Sequence, residues 1–257
     1  MQYESIRLSS EGDFAVLTLA QPKRRNPLAE DTIREILDAL RRTGEGSARG
    51  IILAAEGSVF SAGHDFADMD GRDLAGMQRL LGVCGEMMQT IQEIPQPVIA
   101  QVEGLATAGG CQLVASCDLA VAGESTRFAV PGGRGGWFCT TPGVALARAV
   151  GRKRALEMLL TGDPIDAPTA EAWGLVNRVV SDDAVAEETR ALLGRATRGS
   201  RRSKGVGKQA FHRQVDLDIR GAYDFATEVM ASASQTEEAQ EGIRAFLEKR
   251  KADFGDR

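Results

Sequence analysis

Apolar positions along this chain follow two different periods, and the change from one to the other divides it. In the first half, short continuous runs at Phe14–Leu19 (FAVLTL), Gly50–Ala55 (GIILAA), residues 97–102 (PVIAQV) and residues 118–122 (DLAVA) alternate with longer stretches of helical spacing. Runs of this length, bounded by glycine, proline or turn residues, predict strands covered on both faces. Between them, Ile33, Ile36, Leu37 and Leu40 lie on one face of a helix over residues 30–42, with acids early and arginines late to suit its dipole. A longer helix is expected over residues 77–94, stopped by Pro95 and Pro97. Residues 104–110 read as a glycine-punctuated turn and residues 111–116 as a short helix. Strands alternating with helices imply parallel pairing, so the fold class is α/β.

From Thr141 and Pro142, a cap followed by a first-turn proline, the texture becomes helix after helix. Helical patterns cover residues 153–160, 183–193, 204–214, 218–233 and 236–251. The run at residues 195–208 (RATRGSRRSKGVGK) is basic and rich in small residues, and reads as a solvated linker. It divides the chain into a core of residues 1–199 and a C-terminal helical unit of residues 200–257.

Composition narrows the classes. A chain of 257 residues, 43% hydrophobic, can bury a large core. The formal charge of -5 is spread over mixed signs, which argues against nucleic-acid binding. A single-stranded RNA contact through the basic run is the weaker alternative. No apolar run approaches the roughly 20 residues of a membrane span, and the acidic N-terminus lacks an apolar leader core, so a cytoplasmic location is expected. Cys84, Cys111, Cys117 and Cys139 form no CxxC pair and do not cluster with His64 or His212, so no metal site is expected and the thiols read as small buried hydrophobes.

Two glycine-bearing turns carry the candidate chemistry: FSAGHD at residues 60–65 and GLATAGG at residues 104–110, each following a strand. Ligands bind at the carboxyl ends of strands in open α/β folds. A helix beginning at Gly109 would offer unpaired N–H groups and a positive dipole end. With a second amide from the Gly63–His64 turn, it could hold an oxygen that gains negative charge, where each such donor is typically worth ~3 kcal/mol of barrier.

Residues 97–122, PVIAQVEGLATAGGCQLVASCDLAVA, resemble the central signature of the crotonase (enoyl-CoA hydratase/isomerase) superfamily, and FSAGHD resembles its first oxyanion-hole loop. Similar segments, AVGRKRALEMLLTGDPIDA, AWGLVNRVV and QEGIRAFLEKRKADF, extend the likeness over about residues 14–254. Within the family, FCTTPGVALARAV is most similar to the enoyl-CoA hydratase domain-containing protein 3 branch. The resemblance implies a crotonase-type ββα spiral core with a C-terminal helical trimerisation domain, assembled as a homo-trimer or hexamer. It implies an acyl-CoA thioester substrate, with coenzyme A as part of that substrate and no separate cofactor.

Carried over by position, the oxyanion donors become the backbone amides of His64 and Gly109. Coenzyme A contacts fall on Lys23, Arg24 and Arg25, and on Phe246 and Lys249 of a neighbouring subunit. Contacts around the thioester and acyl chain fall on Ala62, Asp65, Phe66, Leu105, Gly110, Pro131 and Phe138, Asp65 serving alternatively as a helix cap.

Two departures bear on activity. Where hydratases of this family place their catalytic glutamates, this chain has Gln112 and Gly132. An amide exchanges no proton at neutral pH and glycine has no side chain, so roughly 5 kcal/mol or more of catalysis is forfeited. Ordinary hydration is expected to be weak or absent, and a non-catalytic acyl-CoA-binding protein is the alternative. Cys139 lies within one position of a catalytic aspartate of dehalogenating and isomerising relatives, which opens a nucleophilic thiol as a further role.

Overall fold

The computed structural model describes residues 3–255. In chain order they form β1 (Ile6–Glu11), β2 (Phe14–Leu19), β3 (Pro27–Leu28), α1 (Glu30–Glu45), β4 (Gly50–Ala55), β5 (Val59–Ser61), β6 (Gly63–His64), α2 (Phe66–Met69) and α3 (Leu74–Glu93). There follow β7 (Val98–Val102), β8 (Leu105–Thr107), α4 (Gly109–Ser116), β9 (Leu119–Gly123), β10 (Arg127–Ala129), α5 (Thr140–Val150) and α6 (Arg152–Thr161). The chain continues through β11 (Ile165–Asp166), α7 (Ala167–Trp173), β12 (Arg178–Val180) and α8 (Val185–Ala196). It closes with α9 (Arg201–Gln214), α10 (Ile219–Ala233) and α11 (Glu237–Leu247).

The predicted strands line up in one sheet of order β1-β2-β4-β7-β9-β12, parallel from β2 onward with β1 antiparallel at its edge. A second sheet of order β11-β10-β8-β5 takes a short strand after each of β4, β7 and β9, and a helix follows each pair. The repeating unit is therefore strand, strand, helix, and successive units stack as a ββα spiral.

Alternation along the large sheet explains the continuous apolar runs. Leu17, Leu53, Val98 and Ala100 belong to the main core with residues of α1, α3 and α4. Their neighbours Val16, Ile52, Ile99 and Val121 form a second cluster with Val185 and Leu193 of α8. Both faces are covered, so both register positions are predominantly apolar. At Gly50 a Cβ would lie 2.8 Å from Leu193 Cδ1, so α8 rests directly on β4.

Several expectations are corrected. Residues 201–208 are the first two turns of α9, capped by Ser200 Oγ accepting from Ser203 N at 3.0 Å, and not a solvated linker. Gly205 is buried and Lys208 reaches inward. Helix α5 begins at Thr140 after Cys139, with no side-chain cap, so Thr141 is not its cap. The expected turn at residues 104–110 contains β8, and α11 stops at Leu247. Among the described residues no helix is long and apolar enough to cross a membrane.

Candidate active site

The loop before β3 is bolted to the connection between β4 and β5 by one buried side-chain amide, and to the end of β5 by two further bonds. Asn26 Oδ1 accepts from Gln21 N at 2.9 Å, and Asn26 Nδ2 donates to Glu56 O and Val59 O at 2.8 Å each. Ser61 Oγ donates to Asn26 O at 2.8 Å and Ala62 N to Arg25 O at 2.9 Å. Arg25 and Asn26 both sit at positive φ, 64° and 49°, a local cost these bonds offset. The basic stretch Lys23–Arg25 is thereby held beside Ala62. Arg24 pairs with Asp65, whose other oxygen accepts from Ala67 N at 3.1 Å and caps α2.

The two glycine turns meet. Gly63, at φ 81°, is so close to the head of α4 that a Cβ on it would lie 2.8 Å from Gly109 N. Only glycine satisfies both the dihedral and the contact. A Cβ on Gly109 would in turn lie 3.5 Å from Gly63 Cα and 3.7 Å from His64 Cδ2. Within the second turn Ala108 is held at φ 50°, ψ -117°, a conformation alanine rarely adopts. It is pinned by Ala108 N donating to Ala129 O at 2.8 Å and by Ala108 O accepting from Gln112 N at 3.1 Å. The N–H of Gly109 thus lies ahead of the first internal bond of α4, at the helix's positive end.

A cavity of about 440 Å³ opens at this junction. Ala62, His64, Phe66, Leu81, Thr107, Ala108 and Gly109 form one part of its wall; residues between Pro131 and Pro142 form the rest, among them Gly132, Trp137, Phe138 and Cys139. The wall is mostly apolar. Among the described residues its titratable side chains are His64 and Cys139, and none on the wall is a carboxylate.

His64 Nδ1 lies 3.2 Å from Leu28 O, and since a carbonyl only accepts, that nitrogen carries the proton. Nε2 is buried without a hydrogen-bond partner. Burial holds the imidazole pKa below its usual value, opposed by the Leu28 carbonyl and the Asp68 charge, so the ring is neutral at pH 7. Burial pushes the Cys139 thiol up, with the Gly132 amide opposing, which is the reverse of what an activated nucleophile requires.

Gly132 has its own packing constraint: a Cβ there would collide with Trp137 O and lie 2.6 Å from Cys139 Sγ. The sulfur occupies the space in which a side chain at position 132 would begin.

Of the residues expected from sequence, Ala62, His64, Phe66, Gly109, Pro131, Gly132 and Phe138 line the cavity. The others do not. Gln112 is buried within α4 with Oε1 unpartnered, off the cavity wall. Gly110 packs under Ser61, and Leu105 pairs in β8 with Val59 and Arg127. Lys23, Arg24, Arg25 and Asp65 stand beside the cavity's Ala62–His64 edge. Phe246, 82% exposed, and Lys249 belong to the C-terminal region and do not contact the cavity within this chain. The bracing Asn26, the strained Ala108 and the wall residue Trp137 were missed; the positive-φ positions had no glycine to signal them.

A second, larger cleft of about 740 Å³ lies among α4, β9, α5 and α9. Its chemistry is of the opposite kind. Asp118 accepts from Lys208 Nζ at 2.8 Å, His212 Nε2 at 2.8 Å and Val98 N at 2.7 Å. Lys208 Nζ also donates to Ile91 O at 2.6 Å and Gln96 O at 2.7 Å, using all its protons.

The enoyl-CoA hydratase/isomerase family model matches residues 10–257. Over 248 residues the chain is 42% identical to the mitochondrial enoyl-CoA hydratase domain-containing protein 3 of Xenopus laevis, spanning 95% of this chain and 84% of that one. An enoyl-CoA hydratase structure from Mycobacterium smegmatis superposes with a TM-score of 0.94 at 42% identity, covering 98% of this chain and 99% of the other. The human enoyl-CoA hydratase domain-containing protein 3 structure gives a TM-score of 0.93 at 40% identity, covering 97% and 100%.

Proposed function

The chain belongs to the enoyl-CoA hydratase/isomerase family, and from that premise we propose that it processes acyl-CoA thioesters by stabilising a thioester enolate between the backbone amides of His64 and Gly109. One observation carries the reading: the end of β6 abuts the head of α4 so closely that Gly63 has no room for a side chain, and a mostly apolar cavity opens at that junction. Two N–H groups presented there act on charge as it develops on the carbonyl oxygen, in a site with little competing water.

The acyl chain lies against Ala62, Phe66, Pro131 and Phe138, while Lys23, Arg24 and Arg25 beside Ala62 meet the phosphates of coenzyme A. Phe246 and Lys249 serve the same site from a neighbouring subunit of a homo-trimer or hexamer. Coenzyme A enters as part of the substrate and no other cofactor is involved. The protein is placed in the cytoplasm, whereas the Xenopus relative carries a mitochondrial name.

Ordinary hydration of a 2-enoyl thioester is weak or absent in this reading, because neither Gln112 nor Gly132 transfers protons. A second reading, an acyl-CoA-binding protein without turnover, is favoured by a cavity wall that holds no carboxylate among the described residues. Trp137 on that wall supplies the test. Titrating saturated, 2-enoyl, 3-enoyl, malonyl-type and hydroxyacyl-CoA thioesters should change its fluorescence, with mass spectrometry of the products separating turnover from binding. Rapid loss of the enone absorbance of crotonoyl-CoA would defeat the claim about hydration, and a thioester panel that leaves Trp137 unaffected would defeat both readings.

A further inference from the structure

Aromatic residues are scarce in this chain, 5% of its length, yet three of them line the cavity at the head of α4. Phe66 belongs to the α2 part of the wall, and Trp137 and Phe138 to the loop that leads into α5. They are 74%, 44% and 41% exposed, so most or nearly half of each side chain is left uncovered by this chain. Among the described residues none of the three stacks on another ring or lies under a guanidinium; those contacts involve Phe211, Trp173 and Phe225 instead. Large apolar surface left open around a cavity marks a place where a ligand completes the packing.

Charge is handled in the opposite way. No lysine, arginine, aspartate or glutamate lines the cavity among the described residues. His64 is kept neutral by burial, and burial holds the Cys139 thiol protonated. Arg134, in the loop that carries Trp137, is paired with Asp163. The basic stretch Lys23–Arg25 stands at the Ala62 edge, where the coenzyme phosphates belong in the acyl-CoA reading. The neutral polar groups on the wall, Thr107, Thr140 and Thr141, carry no charge to offset that of a ligand.

Resting on the acyl-CoA reading above, we infer that this cavity selects an uncharged, apolar acyl group longer than four carbons, held between Phe66 on one part of the wall and Trp137 and Phe138 on the other, and rejects acyl groups that end in a carboxylate. Size supports the length. A cavity of about 440 Å³ falls in the range, roughly 300–1,000 Å³, that encloses whole small-molecule ligands. A short acyl group leaves part of it unfilled and forfeits contacts with the rings. Charge supports the rejection, since a carboxylate taken from water into an apolar wall needs a cation beside it, and the wall supplies none.

The experiment is calorimetric titration of the full chain with matched thioesters. Affinity should rise about threefold to fourfold for each methylene from butyryl-CoA through hexanoyl-CoA to octanoyl-CoA, about 10²-fold across the series. Succinyl-CoA, equal in length to butyryl-CoA and differing by the terminal carboxylate, should bind at least about tenfold more weakly. Phe138→Arg places a cation on the wall at a partly exposed position, and should bring succinyl-CoA level with butyryl-CoA or above it while flattening the rise toward octanoyl-CoA. Equal affinity for butyryl-CoA and octanoyl-CoA, or for butyryl-CoA and succinyl-CoA, in the unaltered protein would overturn the inference while leaving the thioester reading in place. A folded Phe138→Arg protein that still disfavours succinyl-CoA to the same degree would overturn the assignment of Phe138 to the acyl wall. Binding of none of these thioesters would remove the thioester reading itself. The two comparisons on the unaltered protein hold however the variant folds.

Discussion

The two clefts of this molecule hold polar groups under opposite conditions. In the cleft beside α9, Asp118, Lys208 and His212 bind one another and nearby carbonyls until every ammonium proton has an acceptor. Beside the cavity at the head of α4, the buried His64 Nε2 has no partner, and the amide of Gly109 precedes the first internal bond of its helix. A closed network contributes to stability and has nothing left to offer a ligand. Open valences in an apolar wall cost stability, and are worth retaining only where something else completes them. The larger cleft therefore holds a satisfied polar network, and the smaller cavity is the one the proposed function uses.

The sharpest way to break that contrast is Asp118→Ala. It leaves Lys208, only 8% exposed, with an uncompensated charge, and should cost about 3–5 kcal/mol in urea unfolding while leaving the Trp137 response to thioesters unchanged. Should Asp118→Ala abolish thioester binding in a folded protein, the two regions would not be separable in this way.

Next in size is an attempt to restore a hydratase carboxylate. Gly132→Glu drives a side chain into Cys139 Sγ and Trp137 O, and overpacking of this kind should cost about 1–3 kcal/mol with no gain of crotonoyl-CoA hydration. Adding Cys139→Ala should recover part of the loss, so that the double variant is more stable than the sum of the two single changes predicts. Strict additivity would show that the sulfur is not the obstacle.

Thiol labelling sharpens the comparison with a smaller effect. Burial pushes Cys84 and Cys111 to about 12 and raises Cys117 in the polar cleft as well, so the folded protein should leave all three unalkylated by iodoacetamide near about pH 8. Cys139, on the cavity wall, should label slowly, and a bound thioester should suppress that labelling. Protection of Cys117 specifically by the thioester would point to the wrong cleft.

The least effect is expected at the C-terminal tail. Arg250 first, then the Asp253 amide, hold the Glu241 carboxyl down to about 2 from 4.5. A depressed carboxylate stabilises the fold above its unfolded value and loses that contribution as pH falls through the folded one. Between pH 4.5 and about 2 the tail should lose protection in hydrogen exchange while the core amides do not. Loss in both at once would mean that this surface tether is coupled to the core.

Much of the architecture was legible because it depends on short-range pattern. FAVLTL, GIILAA and PVIAQV are apolar at nearly every position, as a sheet covered on both faces requires, and α8 on one side with α1, α3 and α4 on the other supply that cover. Family motifs carried the likeness to enoyl-CoA hydratases, and the turns FSAGHD and GLATAGG led to the cavity. The short strands were not legible. Strands such as β6 and β10, two and three residues long, are too brief for periodicity to register.

The amino-acid order by itself determined the layers of this protein, through apolar spacing, and carried the family likeness that pointed to the two turns and to Gln112 and Gly132 at the positions of the hydratase glutamates. Tertiary structure alone decided which polar groups are spent. Lys208 looked solvated within RRSKGVGK until α9 carried it onto Asp118, and Gln112, expected at a glutamate position of the family's active site, lies off the cavity wall. His64 was marked for its backbone, and only the fixed distance to Leu28 O settles which ring nitrogen keeps a free pair. Hydrogen-bond partners come from segments distant in sequence, so whether a polar side chain is satisfied or available is a property of the folded chain and has no local signature.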